Sequence, residues 1–188
     1  ILFGVNFNAY YYILFRNFKK AFSMEEVRCY FLIIIAAIGI IFMDIIDRSA
    51  SAFDALTRVA FQVGSIITTT GFSTADFNLW PQTSKTILVL LMFIGACAVS
   101  TGGGIKVSRF VVLFKTIIKE LNSYIHPKSI KKIKIDGKPV EHDVVRAINV
   151  YFIAFMIIFS ISVLIVILLV QPIISYSFNL VLHLSKSK

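Results

Sequence analysis

Thr68-Thr69-Thr70-Gly71-Phe72 is the stretch of this chain whose residue types best suit ion chemistry. Successive threonines bring backbone carbonyls, and hydroxyls that both donate and accept. Gly71 reaches backbone angles closed to other residues, so neighbouring carbonyls can be turned toward one axis. Carbonyls aimed that way replace the water shell of a cation. A threonine-rich turn ending in glycine is also common in ordinary loops, so its setting must decide. A second stretch, Ser100-Thr101-Gly102-Gly103-Gly104-Ile105-Lys106, sets three consecutive glycines in an apolar run. Each glycine costs ~1 kcal/mol of helix relative to alanine, so ~3 kcal/mol is given up within one turn. Broken helices at membrane depth are expected where backbone lines a pore or must move. A glycine kink for close helix packing is the plainer reading. A phosphate-binding loop does not fit, because Ile105 separates Gly104 from Lys106 and Val107 follows the lysine.

The elements around the pentapeptide fix its place. Ser51 with Asp54 three residues on marks a helix start, and the helix is expected over 52–67. That is too short for a bilayer, which needs ~20 residues. Between two apolar runs it reads as a re-entrant helix, which is tolerated when buried in protein or lining a water-filled cavity. Its C-terminal end, with roughly half a negative charge, meets the threonines and favours a cation there. Arg58 is placed to pair with Asp54 at i, i+4 spacing or to anchor the outer rim. Trp80-Pro81 forms an interface anchor, and the return through the membrane is expected over 84–105, broken at the glycines and continuing as an amphipathic helix to 121.

Composition agrees with a membrane location. Of 188 residues 57% are hydrophobic and 15% charged, and the mean hydropathy is +0.84. Soluble domains average ~25% charged residues. The net charge of +9 does not point to nucleic acid, since the basic residues lack interleaved stacking aromatics. They cluster instead at 16–28 and from Lys106 to Lys138, the two stretches that paired membrane crossings place on one side. That is the positive-inside pattern. Cys29 and Cys97 sit in apolar runs without a Cys-x-x-Cys neighbour. Glu141-His142-Asp143 are adjacent and ill placed to share one metal ion.

The remaining segments follow in order. Residues 1–15 read as the end of an earlier membrane helix, with Tyr10, Tyr11 and Tyr12 at the interface. Residues 16–28 form a cytoplasmic connector, where Ser23 and Glu26 have capping-box spacing. A membrane helix is expected from Glu25 to Ile46. His126-Pro127 should end the helix after the glycines, and 122–143 reads as a basic cytoplasmic loop with a hairpin at Asp136-Gly137. A further membrane helix covers 144–170, stopped by Gln171-Pro172, and 171–188 is an atypical tail. Ile1 begins inside an apolar run, as in an internal fragment.

Taken together, Thr68-Thr69-Thr70-Gly71-Phe72, Asp76-Phe77, Trp80-Pro81, Phe93-Ile94-Gly95 and the Ser100 to Lys106 run resemble the Trk/Ktr/HKT superfamily of potassium transporters, from the start of the chain to roughly Pro172. The resemblance implies an all-α integral membrane fold of helix–pore-helix–helix repeats, four to a subunit, with a broken second helix. Residues 25–121 would be the third repeat, 1–15 the end of the second and 144–170 the first helix of the fourth. It implies that backbone carbonyls of Thr69, Thr70, Gly71 and Phe72 form one part of a selectivity filter. Potassium would then sit at the Thr69, Thr70 and Gly71 carbonyls, and Ser100, Thr101, Gly102, Gly103, Gly104 and Lys106 would lie in the gate. It further implies a homodimer in the bacterial inner membrane, crossing it several times, with a cytosolic nucleotide-binding ring facing the Lys106 to Lys138 segment. Residues 173–188 do not supply the expected fourth filter, as in a truncated or frame-shifted product.

The leading expectation is therefore transmembrane uptake of potassium, or of sodium and potassium, with no bound cofactor and no enzymatic activity. Asp44 and Asp47 are the weak candidates for an enzyme site. Other readings are a membrane anchor that docks a cytosolic regulator through the basic segment, and a short two-helix channel that tetramerises through identical filters.

Overall fold

The computed structural model describes residues 1–49, 51–125 and 132–186, with side chains through 170. It divides into two units, Ile1–Glu141 and His142–Lys188. The expected stop at His126-Pro127 lies outside the described residues.

The first unit opens with a 3₁₀ turn at Leu2–Gly4 and helix α1 (Phe7–Leu14), whose N-cap Asn6 accepts from the Asn8 N–H. Residues 1–15 are thus not one helix end. The short α2 (Phe18–Ser23) lies in the expected connector. Helix α3 (Glu25–Ile45) has 21 residues, about 32 Å at 1.5 Å per residue, which matches a hydrocarbon core of ~30 Å. Val27, Tyr30, Ile34, Ala37, Ile41 and Ile45 form its buried stripe, at spacings of three and four. Leu32, Ile35, Ile40 and Met43 on other faces are exposed and equally apolar. A helix apolar all round is one whose outer faces meet lipid or further helices.

Helix α4 (Ala52–Ile67) begins where the sequence indicates: Ser51 Oγ accepts from the Asp54 N–H at 3.2 Å. Arg58 Nε lies 3.0 Å from Asp54 Oδ1, the i, i+4 pair expected. Ala55, Val59, Val63 and Ile67 are fully buried, the last three in a core shared with α3. Helix α5 (Gln82–Phe93) follows Pro81.

The sequence suggests a return through the membrane over 84–105, broken near its inner end. The structure instead ends α5 at Phe93, after 12 residues, or about 18 Å. Residues from Ile94 to Lys106 form a loop, and α6 (Val107–Ile125) resumes beyond it. The break thus takes in Ile94, Gly95, Ala96 and Cys97, whose apolar character is equally compatible with helix. What holds them out of helix is long-range pairing. The Gly95 N–H donates to Ile105 O at 2.8 Å, and the Cys97 N–H donates to Gly4 O at 2.9 Å.

Several helices in this unit start on a carboxylate borrowed from another segment. The expected Ser23–Glu26 capping box does not form. Ser23 is the last residue of α2, its hydroxyl donates to Lys20 O, and Met24 gives α3 no side-chain cap. The Glu25 N–H donates instead to Asp136 Oδ1 at 2.7 Å. At α5, Asp44 Oδ2 accepts from the Ser84 N–H at 3.2 Å and the Ser84 hydroxyl at 2.6 Å. At α6, Glu26 Oε1 accepts from the Ser108 N–H at 3.2 Å. A carboxylate at a helix N-terminus satisfies an orphan N–H and meets the positive end of the helix dipole. Replacing Asp44 with alanine should therefore cost about 1–2 kcal/mol. Thermal unfolding of the full-length protein in detergent reads this as a lowered midpoint, with Asp44→Asn closer to the parent. An unchanged midpoint for Asp44→Ala would discount the cap.

The Asp136-Gly137 hairpin is present, with β1 (Lys134–Ile135) antiparallel to β2 (Lys138–Pro139). Lys115 Nζ bridges Glu25 Oε2 and Lys134 O, which seats the hairpin on the first turn of α3.

The second unit is one helix, α7 (His142–Lys186). It continues through Gln171-Pro172, where the sequence suggests a stop. A proline inside a helix removes one backbone hydrogen bond, which membrane helices tolerate. Among the described residues, two helical stretches are long and apolar enough to cross a bilayer, Glu25–Arg48 and His142–Val170.

Candidate ion-conducting site

The turn after α4 is organised by which groups it satisfies. The Thr68 N–H donates to Gly64 O, the Thr69 N–H to Ile66 O and the Thr70 N–H to Ser65 O, at 2.9–3.2 Å. The last carbonyls of α4, which would otherwise be orphaned, are thereby met by the turn's own N–H groups. The turn's carbonyls divide into two sets. Thr68 O accepts from the Thr69 hydroxyl at 2.7 Å, and Phe72 O from the Ser65 hydroxyl at 2.5 Å. The carbonyls of Thr69, Thr70 and Gly71 between them accept no hydrogen bond among the described residues. Those three residues are exposed, whereas Ser65 and Gln62 behind them are buried. Ser73 Oγ donates to Gln62 Oε1 at 3.1 Å and secures the far side of the turn.

The backbone here is strained. Gly71 lies at φ +81° and Thr69 at φ +54°. A β-branched residue in the left-handed region is an outlier that surrounding structure must hold, at a cost on the order of 1–3 kcal/mol. Thr69 is held from below. Its hydroxyl accepts from the Gly103 N–H at 2.8 Å and donates to Thr68 O. The turn and the glycine loop are therefore in direct contact.

The loop is fastened at both ends. Ile94 and Ile105 pair as a parallel bridge, and the Val107 N–H donates to Ala96 O at 3.2 Å. Gly95 packs so closely on the Gly103 carbonyl that a side chain at Gly95 would displace the backbone. Inside the loop, the Ser100 hydroxyl donates to Cys97 O at 2.6 Å, and Thr101 Oγ1 to Phe3 O at 3.4 Å. The Lys106 ammonium donates to the Gly102 carbonyl and reaches Ser100 O at 3.5 Å. Val99 is the second β-branched residue in the left-handed region, at φ +53°; its carbonyl accepts from the Phe7 N–H at 3.1 Å.

The structure thus brings the residues singled out in the sequence into one place, with Thr69 against Gly103. It also gives three further residues a part there: Asn6, Ser65 and Glu26, the last of which the sequence suggests only as a local cap. Glu26, only 6% exposed, accepts from Asn6 Nδ2 at 2.9 Å, from the Ala98 N–H and from the Ser108 N–H. Ser65 holds the Phe72 carbonyl. An available signal is the pair of acids Glu25-Glu26 at the head of a predominantly apolar helix, since a buried carboxylate needs partners.

A short helix thus ends on a strained turn with open carbonyls, which lies against a fastened glycine loop. A family model described as "TrkH: Cation transport protein" matches residues 13–184, and the chain belongs to that family, whose members are transporters and not enzymes. The matched residues run past Pro172, where the sequence resemblance was expected to end. The chain is 33% identical over 170 residues to the Trk system potassium uptake protein TrkH of Salmonella typhimurium, covering 87% of this chain and 35% of that protein. It is 39% identical over 114 residues to TrkH of Vibrio parahaemolyticus, covering 61% of this chain and 24% of that protein. The crystal structure of the potassium transporter TrkH from Vibrio parahaemolyticus superposes with a TM-score of 0.78 at 30% identity, covering 85% of this chain and 35% of that one. The chain spans about a third of the length of these relatives.

Proposed function

We propose that this chain forms part of a potassium uptake transporter in a bacterial inner membrane, which it crosses more than once, and that it supplies one repeat of the ion path. The observation that carries this reading is the row of open carbonyls at Thr69, Thr70 and Gly71. A potassium ion entering from outside exchanges water for these oxygens, while Thr68 and Phe72 keep the turn closed at either end. Matching turns from three further repeats would complete the coordination. Below, the Ile94 to Lys106 loop bars the path and acts as the gate; the Thr69–Gly103 contact supports that placement. The gate opens when the loop swings away from the turn.

The basic residues from Lys106 to Lys138 give the inner face a positive field suited to an acidic cytosolic partner, in this reading a nucleotide-binding ring beneath a homodimer. A channel built from two helices per subunit is disfavoured, because the loop is completed by the preceding segment through Gly4 O and the Phe7 N–H. The test is to express the full-length transporter containing this chain in bacteria that lack potassium uptake. Growth on low potassium, with sodium in excess, is expected to be restored. Failure to restore growth by a protein shown to reach the membrane would reject the reading.

A further inference from the structure

The buried Glu26 carboxylate has a role beyond folding: we infer that it is a positioning residue that sets the resting place of the Ile94 to Lys106 loop. The inference rests on the reading of that loop as the gate. Glu26 stands in the first turn of α3, away from the loop in sequence, yet its Oε1 accepts from N–H groups at both of the loop's ends. One is Ala98, just inside the entry; the other is Ser108, in the first turn of α6 just beyond the exit. Oε2 is taken by Asn6 Nδ2 at 2.9 Å, from the segment that also binds the loop through Gly4 O and the Phe7 N–H. One carboxylate therefore joins four parts of the chain: the N-terminal segment, α3, the loop and α6.

Charge is what suits it to the task. Hydrogen bonds to an ionised acceptor are roughly twice as strong as neutral ones. The N-terminus of α6 adds a favourable dipole for the same group. A residue serving only as packing would need neither. Because the donors are backbone N–H groups on both ends of the loop, moving the loop away from Thr69 must lengthen at least one of these bonds. Glu26 therefore holds the closed position against opening, and weakening it should favour the open one.

The experiment uses the full-length transporter in liposomes, with potassium flux normalised to folded protein. Glu26→Gln keeps the shape but turns an amide N–H toward Asn6 Nδ2. Resting flux is expected to rise by about tenfold or more, as for loss of a charged hydrogen bond. Half-saturating potassium and the preference over sodium should stay within about twofold, because the Thr69 to Gly71 carbonyls are untouched. Asn6→Asp in the Glu26→Gln background restores a complementary pair and should bring flux back toward the parent value. The thiol of Cys97, fully buried beside Ala98, gives an independent readout: with the partly exposed Cys29 replaced by serine, the alkylation rate at Cys97, followed by mass spectrometry of its peptide, should rise with flux. If Glu26→Gln yields no folded protein, Glu26→Asp decides by the same two measurements. Parent-like flux and parent-like Cys97 labelling in the folded variant would overturn the assignment, as would a change of ion preference alongside flux. Deleting Gly102 to Gly104 separates the two readings. Raised flux there with no effect at Glu26 rejects Glu26 alone; no effect in either rejects the gate.

Discussion

Gly71→Ser in the full-length transporter is expected to abolish growth on low potassium and to narrow the preference for potassium over sodium. The argument is conformational and not steric. Gly71 sits at φ +81°, and a side chain added there would meet nothing within 4 Å. The cost is that of placing an L-residue in the left-handed region, ~1–2 kcal/mol. The peptide can relieve that cost by rotating, which swings the Thr70 and Gly71 carbonyls off the ion path. Losing 1–2 kcal/mol from the aligned state lowers its population roughly 5- to 30-fold. The membrane abundance of the protein should be nearly unchanged, since the position is exposed and nothing packs on it. Competitive uptake of rubidium against sodium is the direct measurement. Parent-like uptake and selectivity in Gly71→Ser would remove the turn from the ion path.

The deletion of Gly102 to Gly104 should act in the opposite direction and raise flux. It removes the Gly103 N–H that Thr69 holds and the Gly102 carbonyl that Lys106 holds. Net contributions are ~0.5–1.5 kcal/mol for the neutral bond and ~1.5–3 kcal/mol for the charged one, so an increase of roughly thirtyfold or more is expected. The loop's fastenings lie outside the deleted residues, at Ile94–Ile105 and Ala96–Val107, so α5 and α6 should keep their places. Flux equal to the parent's, from protein of normal abundance, would leave these glycines as a packing device.

How much of this was legible in the sequence differs from element to element. The start of α4 was legible because Ser51 and Asp54 are a local signal, and the Asp136-Gly137 hairpin because a turn is specified by its own residues. The span of α3 followed from an uncharged run of the right length. The end of α5 at Phe93 was not legible. In Ile94 to Cys97 a lone Gly95 is the one local mark of a break, and what holds the stretch is a set of distant partners: Ile105 O, Gly4 O and the Val107 N–H. Glu26 itself was misread because Ser23 stands three residues ahead, the spacing of a local cap. The structure starts α3 one residue too late for that serine to serve, and turns the carboxylate inward. The turn at Thr68 to Phe72 was legible in its residue types. Which of its carbonyls stay open was not, because that depends on Ser65, which no motif marks.

The parallel pairing of Ile94 with Ile105 makes the loop a closed ring hung from a neck, and that has a bearing on inheritance. Force between α5 and α6 passes through the neck, not around the ring. Residues can therefore be gained or lost at the exposed Val99, Thr101 or Gly103 without re-aiming either helix. Loop length becomes a dial that mutation can turn in single-residue steps while the scaffold stays fixed.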